Sequence, residues 1–167
     1  MSTSFRIEPL SGQHDRTAFR CGAEPLDQYF REQVTQDIRR RATLCYVGLE
    51  ADTGRIGGYY TLAASGVPLA DMPGPLIKRL PRYPLVPVAR MGRLAVDEGF
   101  RGQKLGAALL WDAAIRAARS EIAVFALVVD AKDEAAEAFY VHHGFTSYGS
   151  LSRQLIFPLA RLKPAAP

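Results

Sequence analysis

The chain has 167 residues, 48% of them hydrophobic and 23% charged, and a formal net charge of +4. A chain of this length buries ~70% of its extended surface, so one domain over residues 1–167 is expected, and Cys21 and Cys45 are too few for a disulfide framework and point to a reducing, cytoplasmic setting. No apolar run approaches the ~20 residues that span a bilayer, and Met1–Arg6 has no apolar signal core, so no membrane association is expected.

In chain order, Phe5–Leu10 reads as a first strand. Glu24–Arg41 reads as an amphipathic helix, because Leu26, Phe30, Val34 and Ile38 recur every four residues and Pro25 suits a first turn. Leu44–Glu50 and Ile56–Ala63 flank the turn Asp52-Thr53-Gly54 and predict a hairpin. Residues 64–87 form a basic insertion with prolines at 68, 73, 75, 81, 84 and 87. A short helix over Leu76–Leu80 is expected inside an otherwise ordered loop, and long insertions of this kind are often functional. Val88–Val96 is the next strand. The helix from Lys104 to Ser120 is apolar round most of its circumference and is therefore buried. Val124–Val129 is a continuous apolar run, as in a central strand covered on both faces. Asp133 or its neighbourhood caps a short helix that Gly144 stops after His143. Phe145–Tyr148 and Leu155–Leu159 close the sheet, and 163–167 form a flexible tail.

The most informative stretch is Arg101-Gly102-Gln103-Lys104-Leu105-Gly106-Ala107. It leaves a strand and opens a helix, so its backbone N–H groups lack intrahelical acceptors and share one direction. The helix dipole adds partial positive charge, and Arg101 and Lys104 add whole charges. This is a place for a pyrophosphate. Neither the dinucleotide fingerprint Gly-x-Gly-x-x-Gly nor the Gly-Lys-Ser/Thr of a nucleoside-triphosphate loop is present. Between Leu76 and Lys104 seven bases face only Asp97 and Glu98, a local charge of +5. Such a concentration favours phosphate-bearing ligands. Arg39-Arg40-Arg41 is a second basic knot, although cations also suit a helix C-terminus. No metal-ligand pattern stands out.

Two motifs in order resemble the GNAT (Gcn5-related) N-acetyltransferases. Arg101 and Gly106 match the family's first motif, Gln/Arg-x-x-Gly-x-Gly/Ala, except that Lys104 stands where Gly is common. A helical conformation at Lys104, with its ammonium beside the phosphates, is expected. Ala136, Phe139, Tyr140, Gly144 and Phe145 match the second motif. Further likeness lies in Phe19-Arg20-Cys21-Gly22, Leu26-Asp27, Gly58-Tyr59-Tyr60-Thr61-Leu62-Ala63 and Gly92-Arg93-Leu94-Ala95-Val96-Asp97. With these added, the chain is similar over about residues 17–158 to GNAT-fold toxins of bacterial type II toxin–antitoxin pairs.

The resemblance implies an α/β GNAT fold: a mixed, mostly antiparallel, twisted sheet of six to seven strands flanked by helices. Acetyl-CoA would lie in the splay between the two central parallel strands. It implies acetyl-CoA contacts from Leu94, Ala95, Val96, Arg101, Gly102, Gln103, Lys104, Leu105, Gly106, Ala107, Asp133, Ala136, Phe139 and Tyr140. The Val96 N–H would polarise the thioester carbonyl, and Tyr140 would protonate the departing CoA thiolate. Read without the motif, Tyr140 is one more core aromatic beside Phe139. The toxin resemblance implies acetylation of the α-amine of aminoacyl-tRNA, a ribbon-helix-helix antitoxin as partner, and a homodimer. Arg39, Arg40, Arg41, Lys78, Arg79, Arg82, Arg90 and Arg93 would contact tRNA phosphates. An α-amine of pKa ~8 is partly neutral near pH 7.5 and needs no dedicated base. His142, His143, Asp97 and Glu98 are the base candidates otherwise. The alternatives are acetylation of a small amine or of a protein amine, and a non-catalytic acyl-CoA-binding module. Small-amine sites tend to be acidic, which the +5 segment opposes.

Overall fold

The computed structural model describes residues 4–162, so the expected tail at 163–167 lies outside the described residues. The elements, in order, are β1 (Phe5–Pro9), α1 (Glu24–Gln28), a π-helical segment (Tyr29–Gln33), α2 (Val34–Arg39), β2 (Leu44–Glu50) and β3 (Ile56–Pro68). Then come α3 (Gly74–Ile77), β4 (Leu85–Val96), α4 (Leu105–Ala118), β5 (Ala126–Asp130), α5 (Glu134–His142), β6 (Thr146–Ser147) and β7 (Gln154–Pro158). Seven strands form one sheet in the order β1-β2-β3-β4-β5-β7-β6. The pairs β1–β2, β2–β3, β5–β7 and β6–β7 are antiparallel. The strand–helix–strand path through α4 makes β4–β5 the parallel step. This is the mixed, mostly antiparallel seven-stranded α/β architecture that the resemblance implied.

The chain divides into two compact units: residues up to Ala63 with Met91–Ala113, and Ala64–Arg90 with residues from Ala114 onward. In the first, an aromatic core joins the N-terminal helices to the β2–β3 hairpin. Phe30 stacks on Tyr59 with ring centroids 4.2 Å apart, and Phe19 meets both rings edge-on. The Tyr59 hydroxyl donates to the Leu26 carbonyl at 2.7 Å. The expected single helix over Glu24–Arg41 is interrupted by the π-helical segment. The four-residue spacing gives the reason. In a regular α-helix, side chains four apart drift by ~40° per step, so Leu26 and Ile38 would part by about a third of a turn. A wider π-turn absorbs that drift and keeps Leu26, Phe30, Val34 and Ile38 on the same core.

Three glycines let α4 sit close on the hairpin. A Cβ at Gly58 would stand 2.7 Å from a Leu109 methyl and 2.8 Å from the Ala95 carbonyl oxygen. Gly48 and Gly57 likewise leave room for Leu105. Two fully buried leucines thereby fix the start of α4 over β2 and β3.

In the second unit, Val67, Met72, Val86, Val88, Ala126, Val128, Tyr148 and Ile156 form the core. The insertion expected over 64–87 is shorter as a loop, because β3 runs on to Pro68 and β4 starts at Leu85. The Leu69 N–H still donates to the Pro84 carbonyl at 2.9 Å, so the ladder closes across its base. The helix expected over Leu76–Leu80 lies earlier, at Gly74–Ile77, where Pro73 and Pro75 suit a helix start. The expected strand Phe145–Tyr148 reduces to Thr146–Ser147, since Phe145 and Tyr148 turn into the core. β5 is buried along Ala126–Val129 as its apolar run required.

Candidate active site

The loop before α4 is built by two left-handed residues. Gly102 has φ +76° and Lys104 has φ +64°. Lys104 is therefore not helical, contrary to the sequence expectation. Its carbonyl accepts the first helical bond, from the Ala108 N–H at 3.1 Å, so it sits at the cap, where the chain must turn before the helix direction is set. A non-glycine residue there costs about 1 kcal/mol. The N–H groups of Leu105, Gly106 and Ala107 come before the first intrahelical donor, Ala108, of this 14-residue helix and so have no acceptor within it. Residues 101–104 are all exposed. Successive N–H groups at a turn into a helix make an anion-binding concavity, so these residues fit a pyrophosphate.

The loop is held from behind by hydrogen bonds that sequence reading missed. Asp97 is only 7% exposed. One of its carboxylate oxygens accepts the Gly99 N–H at 2.8 Å and the other accepts the Arg20 N–H at 2.9 Å. The Glu98 N–H donates to the Arg20 carbonyl at 2.8 Å, and the Asp97 N–H to Gly57 at 2.8 Å. The Arg101 guanidinium donates to the Cys21 carbonyl at 2.5 Å. Buried Asp27 completes the tether by accepting the Cys21 N–H at 2.8 Å. The Arg20–Gly22 segment and the turn at 97–101 thus form one hydrogen-bonded unit. Gly22 has φ +95°, and a Cβ there would stand 2.9 Å from the Arg101 guanidinium. Arg101 spends its side chain on this tether, so its place beside an anion is a matter of its backbone. The readable signal was Asp97-x-Gly99, an aspartate that bonds its own backbone two residues on.

Upstream on β4, the Ala95 side chain joins the aromatic core, and Leu94 and Val96 are half-buried. Arg93 lies over the Tyr29 ring at 3.4 Å from its centroid. Burial, and then a 2.6 Å bond to Asp37, hold the Tyr29 phenol above its ordinary range. Cys45, in the same core, has its thiol pushed up to about 12 by burial.

In the second unit, Asp133 caps α5 as expected: its carboxylate accepts the Ala136 N–H at 2.8 Å. That bond, with Lys132, lowers its pKa. Gly144, at φ +95°, ends the helix after His143. Phe139 is half-buried and meets Tyr140 edge-on at 5.3 Å. Tyr140 is 7% exposed and also touches Phe145 at 5.5 Å. Burial alone drives its phenol far above its ordinary pKa. Among the described residues nothing hydrogen-bonds its hydroxyl. At neutral pH it is therefore a protonated donor, with no hydrogen-bond acceptor among the described residues.

The base candidates fare less well. His143 packs on Phe139 at 4.8 Å, and burial, then His142, lower its pKa. Both Asp97 oxygens are taken by backbone donors. Among the described residues no cluster of His, Cys, Asp or Glu could hold a metal ion.

The basic residues divide by what they already do. Arg90 pairs with Asp130 at 2.8 Å. Arg41 has φ +61°; its N–H bonds Ile38 and the Ala42 N–H bonds Asp37, which closes α2 in the paired pattern usually built on glycine. Arg39, Arg40, Lys78, Arg79 and Arg82 are exposed and make no ion pair among the described residues.

A family model described as "Acetyltransferase (GNAT) family" matches residues 13–145. The chain belongs to the GNAT acetyltransferase family. It is 37% identical over 138 residues, 81% of each chain, to the tRNA-acetylating toxin of Mycobacterium tuberculosis (strain ATCC 25618 / H37Rv). It is 26% identical over 167 residues to the probable toxin TacT of Sinorhizobium fredii (strain NBRC 101917 / NGR234), covering 94% of this chain and 92% of that one. Among solved structures, AtaT complexed with acetyl-methionyl-tRNAfMet matches with a TM-score of 0.86 and 29% identity over 94% of this chain and 96% of AtaT. A structure of AtaTR bound with acetyl-CoA matches with a TM-score of 0.80 and 28% identity over 93% of this chain and 94% of that one. This GNAT chain has no described helix long and apolar enough to cross a membrane.

Proposed function

We propose that this GNAT protein is a toxin that uses acetyl-CoA to acetylate the α-amine of aminoacyl-tRNA and so blocks translation. The reading is carried by its 37% identity, over 81% of the chain, to a tRNA-acetylating toxin. The N–H cradle at the start of α4, next to the exposed residues 101–104, supports it, since that cradle suits the cofactor's pyrophosphate. When bound, acetyl-CoA supplies an acetyl thioester and leaves as CoA.

The roles assigned to this chain are specific. The backbone of Arg101–Ala107 holds the diphosphate, and Leu94, Ala95 and Val96 offer main-chain groups to the pantetheine arm. The Val96 N–H polarises the carbonyl, as a preorganised donor must where negative charge develops. Tyr140 gives its proton to the departing sulfur and is re-protonated by the proton the amine gives up, so the transfer balances. Ala136 and Phe139 are the further cofactor contacts assigned on α5. Asp133 acts chiefly by capping that helix. Arg39, Arg40, Lys78, Arg79 and Arg82 are the cations open to tRNA phosphates, while Arg41, Arg90 and Arg93 have structural work as well. Residues 1–167 serve this one activity as a single acetyltransferase domain, in the cytoplasm, as a homodimer held in check by a ribbon-helix-helix antitoxin. Structural relatives include AtaT bound to the C-terminus of the antitoxin AtaR.

The test is mass spectrometry of charged tRNA after incubation with protein and acetyl-CoA, beside Tyr140→Phe. Acetyl-aminoacyl-tRNA made by the wild type and not by the variant is expected, and it names the amino acid. Intact acetyl-CoA binding with no acetylated tRNA would turn the search to small amines and protein amines.

A further inference from the structure

The insertion at 69–84 carries one residue that the basic patch does not explain. Tyr83 is 68% exposed, beside Leu85 at 60%. The segment around it is not a loose loop. Met72 is buried, Leu69, Ile77 and Leu80 pack on the core of their unit, the Leu69 N–H bonds the Pro84 carbonyl, and the Gly149 N–H bonds the Asp71 carbonyl. Five prolines at 68, 73, 75, 81 and 84 restrict its backbone. The apolar side chains are therefore anchored, and Lys78, Arg79, Arg82 and Tyr83 are left in solvent. None of those four has an ion pair or ring contact among the described residues.

An aromatic ring held open on a rigid support costs surface energy unless something covers it. Arg82 precedes it in the chain and Lys78 and Arg79 lie in the same short segment; such cations select a polyanion, and an exposed ring in a basic segment suits an unpaired base on a phosphate chain. We propose that Tyr83 is a stacking platform for an unpaired nucleotide of the RNA acceptor, with Lys78, Arg79 and Arg82 neutralising the adjoining phosphates. A tRNA offers such nucleotides at its single-stranded CCA end. The inference rests on the aminoacyl-tRNA reading and adds to it a contact with bases rather than with phosphate alone.

The experiment compares Tyr83→Ala and Tyr83→Phe with the wild type. The first measurement is the KM for aminoacyl-tRNA at saturating acetyl-CoA. The second is direct binding of a short single-stranded RNA ending in CCA. Loss of one stacked base is expected to weaken both by about tenfold in Tyr83→Ala. Tyr83→Phe keeps the ring and should keep both. The KM for acetyl-CoA should not move. The dependence of binding on salt should persist in Tyr83→Ala and flatten in the double variant Arg79→Ala, Arg82→Ala. Wild-type RNA binding in Tyr83→Ala overturns the proposal. So does an equal loss in Tyr83→Phe, which would make the hydroxyl the contact, or a loss confined to inhibition by an acidic antitoxin peptide. If the wild type does not acetylate charged tRNA, the function above fails, and the RNA-binding arm still decides the platform.

Discussion

Removing the Asp97 carboxylate should loosen, from behind, the loop proposed to bind the cofactor. In Asp97→Ala the Arg20 and Gly99 N–H groups, bonded at 2.9 and 2.8 Å, lose their acceptor in a site where the aspartate is 7% exposed. Each buried donor left unpaired costs about 1–3 kcal/mol. Part of the Gly99 side opens to water, so a total of about 2–4 kcal/mol is expected, above the ~1 kcal/mol typical of a lost N-cap. Asp97→Asn retains one oxygen but turns an amide donor toward the other N–H, so about 1–2 kcal/mol should go. Urea unfolding of the wild type and both variants measures these differences. The second readout is kinetic. The bond joins Arg20 to the turn that leads into Arg101, so a folded Asp97→Asn enzyme should show a raised KM for acetyl-CoA with the acceptor KM little changed. The reasoning is refuted if Asp97→Asn unfolds like the wild type, or if its stability falls while both KM values stay put.

Four further outcomes follow from the same geometry. Tyr140→Phe should fold normally and bind acetyl-CoA, with turnover reduced about 10²–10⁴-fold if its proton is the one transferred; steady-state rates beside calorimetric binding of acetyl-CoA check it. Arg41→Gly removes a side chain from φ +61° and should gain up to about 1 kcal/mol in urea unfolding, while any phosphate contact from Arg41 is lost. Gly58→Ala drives a Cβ to 2.7 Å from Leu109 and 2.8 Å from the Ala95 carbonyl, and overpacking against backbone should cost about 1–3 kcal/mol. Burial raises the phenols of Tyr59 and Tyr140 in the folded state. Above pH ~10 the unfolded chain therefore releases these protons while the folded chain keeps them, so stability should fall as pH rises through and beyond that value. Thermal unfolding at pH 9, 10 and 11 reads the slope, and a flat profile would contradict the assigned burial.

What could be read from the sequence depended on whether a residue's role was local. The cap at Asp133 and the stop at Gly144 are set by backbone geometry within a few residues, and the structure has both where the sequence put them. The buried run Val124–Val129 announces its own environment, and β5 follows it to within two residues. Non-local roles were invisible. The tether from Asp97 to Arg20 spans 77 positions in the chain, and that from Arg101 to Cys21 spans 80. A charged residue beside a phosphate-binding loop is naturally read as facing the ligand, yet Arg101 faces the protein. Lys104 misled for a related reason. Glycine is common there because the loop needs a positive φ, and a lysine in that place suggested that the need had gone. The structure shows the need unchanged and the lysine strained. The backbone donors proposed for the cofactor follow from the pattern of a turn entering a helix. The partners that fix the loop, the backbone groups of Arg20 and Cys21, came from a distant segment. The likeness at Phe19-Arg20-Cys21-Gly22 acquires a physical meaning from this. Phe19 fills the aromatic core, Arg20 and Cys21 supply the backbone groups that grip the 97–101 turn, and Gly22 leaves space for the Arg101 guanidinium. The segment and the loop form one structural unit, and a substitution in either should be felt in acetyl-CoA binding before it is felt in the acceptor.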